Sequence, residues 1–170
     1  MANVRAAQEA ARSLTKSYCK NLAAIPVEQI ARERGVKVQS VPLDDELSGM
    51  AFVKGGAAVI VVNAAHHPNR RRFTIAHELG HHVLHQTYLC DNVHVDKGIL
   101  RRDELSSDGS DAKEVQANAF AAELLMPECM MRRWSEIDIN DETALNSVAK
   151  KLGVSAAALT YRFINLGIAE

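Results

Sequence analysis

Phe73-Thr74-Ile75-Ala76-His77-Glu78-Leu79-Gly80-His81-His82-Val83-Leu84-His85-Gln86 is the stretch on which the fold turns. Its apolar residues recur every three or four positions, which predicts a helix from Thr74 to Gln86. At about 100° per residue, Phe73, Ala76, Leu79, Gly80, Val83 and Leu84 share one arc, and His77, His81 and His85 lie along its border. His77-Glu78-Leu79-Gly80-His81 is an HExxH pattern. Residues i and i+4 stand one turn apart on one face, so both imidazoles can reach a single metal ion at about 2.0–2.1 Å. Glu78 lies too far round the helix to be a ligand, but it can reach a water as general base.

All seven histidines fall between positions 66 and 94. His85 fails as a further ligand, because eight residues advance the helix by about 12 Å. His82 points away and reads as a surface or packing residue. His66, His67 and His94, with Tyr88, read as ordinary loop polar residues; substrate or oxyanion-stabilising roles are the sharper alternative.

A zinc hydrolase needs a third protein ligand. A second helical pattern runs from about Ala112 to Met126 and stops at Pro127. It carries Glu114 and Glu123, nine residues and therefore opposite faces apart. Glu114 shares its face with Asn118 and Ala121, a strip small enough for close approach to the first helix, whereas Glu123 sits beside Gln116 and reads as solvated. Glu114 is thus the expected third ligand, and Asn118 a group that orients a ligand imidazole. A capping box between Asp111 and Glu114 is the competing reading.

Working outward, residues 3–20 read as a helix, and Pro26 opens another from Val27 to Arg34, closed by Gly35. Val36 to Val41 reads as a strand. Met50–Lys54 and Ala57–Val62 flank Gly55-Gly56 as a β-hairpin. Arg70-Arg71-Arg72 reads as a solvated face where the histidine helix begins. Residues 91–110 read as a loop or flap, and Glu128–Trp134 as a short helix. Thr143–Ile168 reads as helix, Gly153 turn and helix, with Ser155 as the second N-cap. That tail has helix-turn-helix character, and its only charges are Lys150, Lys151 and Arg162, a modest basic surface.

The whole chain has 170 residues, 47% hydrophobic and 24% charged, with a net charge of −1. Such near-neutrality argues against broad nucleic-acid or membrane binding. Cys19, Cys90 and Cys129 are scattered, odd in number and free of CxxC pairing, which predicts reduced thiols in a cytoplasmic protein with neither a disulfide framework nor a thiolate metal site. The N-terminus lacks the apolar core of a signal peptide, and the longest apolar run, Ala57–Val62, is far short of a membrane span.

The segments Arg72–His81 and Glu114–Pro127 resemble the RFTxAHELGH and ExxANxFAxxLLMP signatures of the ImmA/IrrE family of metallo-endopeptidases. The likeness covers roughly residues 20 to 135. It implies an α+β fold in which a small antiparallel three-stranded sheet packs on a mainly helical, zincin-like core, followed by a helix-turn-helix-like pair. On that reading residues 1–135 form a zinc metallopeptidase domain and 136–170 a C-terminal helical segment. The resemblance also implies Zn²⁺ held by His77, His81 and Glu114, with Glu78 as general base, although such ligands also accept Mn²⁺. Its members suggest a helix-turn-helix (Xre-type) repressor, or an antitoxin, as the protein substrate. Two other readings compete: a regulator that binds a repressor, or DNA through residues 143–168, and a toxin-like partner in a two-component module. Intact ligands beside Glu78 favour the peptidase, since a structural metal site has no need of a base.

Overall fold

A computed structural model describes residues 2–20, 23–97 and 110–168, apart from the side chains of 110 and 111. In chain order it contains α1 (Val4–Thr15), a 3₁₀ turn (Lys16–Tyr18), α2 (Val27–Glu33), β1 (Val36–Val41), β2 (Gly49–Lys54), β3 (Ala57–Asn63), α3 (Pro68–Leu84), α4 (Gln86–Asp91) and β4 (His94–Asp96). Then come α5 (Ser110–Leu125), α6 (Glu128–Met131), a 3₁₀ turn (Arg132–Trp134), α7 (Glu142–Leu152) and α8 (Ala156–Asn165).

The α+β class holds, but the sheet differs from expectation. It has four strands in the order β1-β3-β2-β4 and is mixed. Gly55 and Gly56 both take positive φ, as a two-residue hairpin turn requires, so β2 and β3 pair antiparallel. β1 instead pairs parallel with β3, Val36 opposite Ala58, because the chain loops back through residues 42–48 before the hairpin begins. Buried Asn63 pins that loop: its Oδ1 accepts from the Leu43 amide at 3.2 Å, and its Nδ2 donates to the Leu47 carbonyl at 2.9 Å. The fourth strand, β4, pairs antiparallel with β2 and lies inside the segment expected to be a loop. Most of the rest of that segment falls outside the described residues.

α3 starts earlier than the periodicity predicts. Pro68 occupies its first turn, and His67 Nδ1 accepts from the Asn69 amide at 3.2 Å. The three arginines therefore lie inside the helix, tied to neighbours rather than simply solvated. Arg70 and Arg71 donate to Ser48 Oγ (2.9 Å) and Ser40 Oγ (2.8 Å). Arg72 donates to the carbonyls of Ile25 (2.8 Å) and Gly153 (3.1 Å).

Every described residue of α3 from Thr74 to His82 is buried, between the sheet and α5. Gly80 makes the second contact close: a Cβ there would stand 3.1 Å from Phe120 Cδ1 and 3.3 Å from Ala117 Cα. The C-terminal pair forms as expected, with Ser155 Oγ accepting from the Ala158 amide at 3.1 Å. Its Leu145, Leu152, Leu159 and Phe163 join Ile75, Leu79, Phe120 and Leu124 in one core.

The cysteines depart from expectation. Cys19 and Cys129 form a disulfide with a Cα–Cα distance of 5.7 Å, while Cys90 is free and exposed. Tertiary packing of the turn after α1 against α6 brings the pair together across 110 residues, and no local spacing signals it. Cys129→Ser is expected to lower stability by about 2–4 kcal/mol, the range for closing a long loop. A shift of the urea midpoint, reproduced in the wild type by reductant, is the measurement; coincident curves would show that the bond contributes nothing. Among the described residues no helix is long and apolar enough to cross a membrane.

Candidate metal centre

α3 presents His77 and His81 on one face, and α5 crosses close enough at Gly80 to bring Glu114 to them. His77 Nε2 lies 3.2 Å from His81 Nε2 and 3.3 Å from Glu114 Oε2, and His81 Nε2 lies 3.4 Å from Glu114 Oε1. Both rings are almost fully buried, and Glu114 is partly so.

Outer partners fix the protons. His77 Nδ1 donates to Asn118 Oδ1 at 3.1 Å, leaving its Nε2 lone pair facing inward. His85 Nε2 donates to Gln116 Oε1 at 2.8 Å, so His85 Nδ1 accepts from His81 Nδ1 at 3.1 Å, and His81 Nε2 also faces inward as a lone pair. Two lone pairs and a carboxylate thus converge on one point, an arrangement that calls for a cation. Their 3.2–3.4 Å separations match the edges, about 3.3–3.4 Å, of a tetrahedron with bonds of about 2.0–2.1 Å. The donor set fits a divalent metal ion.

The electrostatics agree. Burial works against an ionised Glu114, but the surrounding histidines outweigh it, His94 as a donor and His77 and His81 whenever a proton occupies their inward nitrogen, and hold the carboxyl well below the usual carboxylate range. Burial drives His81 down to about 3. Burial also opposes charge on His77, yet the Glu114 carboxylate, which accepts from Nε2 when that atom is protonated, and the Glu78 charge raise it, so a proton and a cation compete for the same inward nitrogen.

Glu78 is fully buried beside this set. Its Oε2 accepts from His94 Nδ1 at 2.9 Å, while its Oε1 has no hydrogen-bond partner among the described residues. An orphaned buried carboxylate oxygen is costly, and a donor such as water would relieve that cost.

His94 is the residue the sequence undervalued. β4 carries it into the cluster, where its Nε2 donates to Glu114 Oε1 at 2.8 Å and its ring stacks on His81 with centroids 3.8 Å apart. Burial disfavours its charge, but hydrogen bonds to Glu114 and Glu78 raise it to about 10. His94 also belongs, with His77, His81 and Glu114, to the group of four residues that could hold an ion. The only sequence signal is the brief alternation Val93-His94-Val95.

Other expectations need correction. Glu123 is not solvated: it is fully buried, with one oxygen on Arg12 Nε at 3.0 Å and the other against the Arg162 guanidinium. α5 is packed on by both α1 and α3, so the face that looked polar is interior too. His82 is buried against the Val59 carbonyl at 3.0 Å, so of its two expected readings, surface or packing, the structure shows packing. His66 holds the Asp45 carbonyl at 3.1 Å, and His67 caps α3 and borders the cleft. Tyr88 lies under the Lys113 ammonium, 3.8 Å from its ring centroid. The side chain of Asp111 lies outside the described residues, and Glu114 turns its carboxylate to the histidines.

The cluster opens onto a cleft of about 580 Å³ bordered by α3, β4, α5 and the start of α8.

Comparison with known proteins places this architecture. A stretch of 112 residues is 35% identical to the radiation response metalloprotease IrrE of Deinococcus radiodurans, covering 61% of this chain and 30% of that protein. Another, of 121 residues, is 32% identical to the uncharacterized immunity region protein 2 of Bacillus phage phi105, covering 69% of this chain and 71% of that one. A Mycobacterium tuberculosis transcriptional regulator shares the fold, with a TM-score of 0.60 and 20% identity over 94% of this chain and 46% of its own. The chain therefore spans less than half the length of the Deinococcus and Mycobacterium proteins. The family profile of the IrrE N-terminal-like peptidase domain matches residues 31–163, and with a buried His/Glu cluster at its centre the chain belongs to that family of metallopeptidases.

Proposed function

We propose that the protein is a zinc-dependent endopeptidase that cleaves a regulatory protein, a helix-turn-helix repressor or an antitoxin, with His77, His81 and Glu114 as metal ligands and Glu78 as general base. The observation that carries this is the meeting of two inward imidazole lone pairs and a carboxylate, with Glu78, one of whose oxygens has no partner among the described residues, buried and next to His77 in sequence. When bound, Zn²⁺ would polarise a scissile carbonyl and acidify a water. Glu78 takes the proton of the attacking water and passes it to the departing amine. His94 holds Glu78 Oε2 and Glu114 Oε1, which fixes the two carboxylates relative to each other. Asn118 and His85 keep the two ligand rings in the binding tautomer. The nitrogen and oxygen ligands also suit Mn²⁺, and metal analysis of the purified protein decides between them.

A regulatory substrate is supported by the relatives, described as a radiation response metalloprotease, a phage immunity region protein and a transcriptional regulator. The test is incubation with a helix-turn-helix repressor encoded beside the protein, read by mass spectrometry of new termini. A single new N-terminus is expected, lost with 1,10-phenanthroline and regained with Zn²⁺. An intact repressor, or cleavage that ignores the chelator, would overturn the proposal.

A further inference from the structure

The C-terminal pair does more than complete the core. Val154 and Ser155 in its turn, and Ala158 in the first turn of α8, line the cleft beside the metal centre. The turn is bolted to α3: Asn69 Nδ2 donates to the Val154 carbonyl at 3.0 Å, and Arg72 Nε to that of Gly153 at 3.1 Å. From α3 comes Phe73, one turn before His77, with ring centroids 6.3 Å apart. From α5, the helix that carries Glu114 and Asn118, comes Leu125 at the far end, with Met126 just beyond it. Phe73, Leu125, Met126, Val154 and Ala158 therefore line the same cleft as His77 and Glu114.

The placement also bears on what α8 can do. A helix-turn-helix that reads DNA offers the first residues of its second helix to base edges. Here Ser155 and Ala158 face the cleft, and the exposed side of α8 carries Tyr161 and Ile164 rather than a row of cations.

We propose that this recess is a specificity pocket that takes a large apolar side chain, leucine- or phenylalanine-sized, of the protein substrate next to the scissile bond, with the segment from Val154 to Ala158 as its outer wall. The proposal rests on the peptidase reading above. The whole cleft, at about 580 Å³, lies within the range of about 300–1,000 Å³ typical of ligand sites, and this recess is its apolar part. A charged side chain placed among these apolar groups would lose hydration, whereas the cleft's ionisable groups, Arg70 and Lys97 among them, belong to its other lining residues.

The test is binding of capped hexapeptides, identical except for Gly, Ala, Leu, Phe or Glu at one position, to zinc-loaded Glu78→Gln protein, with cleavage by the wild type measured in parallel. Leu and Phe peptides are expected to bind about 10- to 30-fold tighter than the Gly peptide, the gain from burying such a side chain. Adding Ala158→Phe, which fills the recess, should compress the series to within about threefold. Phe73→Ala, at a partly exposed helix position with little cost in folding, should blunt the preference as well. Equal binding across the series, no measurable binding, or a preference untouched by either variant overturns the pocket. Apolar-selective binding with no wild-type cleavage would instead overturn the peptidase reading alone.

Discussion

Glu78→Gln is expected to retain a full complement of metal while turnover falls by about 10²–10⁴-fold, the usual contribution of a general base. The amide fills the same space and still offers an oxygen to His94 Nδ1, so the fully buried site should keep its shape. What it loses is a carboxylate oxygen able to take a proton from water, the oxygen that has no partner among the described residues. The ligand nitrogens of His77 and His81 and the carboxylate of Glu114 are untouched by the change, so metal content measured by elemental mass spectrometry should match the wild type. Wild-type rates on the same substrate would remove Glu78 from the mechanism. Loss of the metal would instead place it among the ligands.

The second large effect belongs to Glu123. This carboxylate is fully buried between Arg12 and the Arg162 guanidinium, itself only 4% exposed, and it also accepts from the Glu128 amide at 3.1 Å. Glu123→Gln preserves volume but strands the buried charge of Arg162 among neutral acceptors. Removing one partner of such a pair costs about 3–5 kcal/mol. Urea denaturation should show that loss as a lower midpoint with an unchanged slope. A loss below about 1 kcal/mol would mean that Arg162 finds water or another acceptor. Because Arg162 Nε also donates to the Met126 carbonyl at 3.0 Å, the variant should loosen the floor of the cleft as well.

What the sequence disclosed depended on how local the information was. HExxH is a one-turn relation, so a helical wheel suffices to pair His77 with His81. Glu114 needed only the face of a second helix. The wheel failed at Glu123, because telling inside from outside needs an apolar arc against a polar one, and α5 buries residues around most of its circumference. His94 escaped because its place is set by the register of β4 on β2, His94 opposite Ala51, which three residues of sequence cannot specify. The parallel pairing of β1 with β3 and the Cys19–Cys129 bond are likewise products of long-range packing.

α5 therefore carries two carboxylates on opposite sides, each clamped by cations or hydrogen-bond donors from different elements: Glu114 by histidines of α3 and β4, Glu123 by arginines of α1 and α8. A rod keyed on both flanks can neither roll about its axis nor slide by a residue without undoing both attachments at once. The distance between the Glu114 carboxylate and the two imidazoles is thereby set during folding rather than when an ion arrives. The reaction centre then has little reorganisation left to perform, which is the condition under which placed dipoles and bases act most strongly on a transition state.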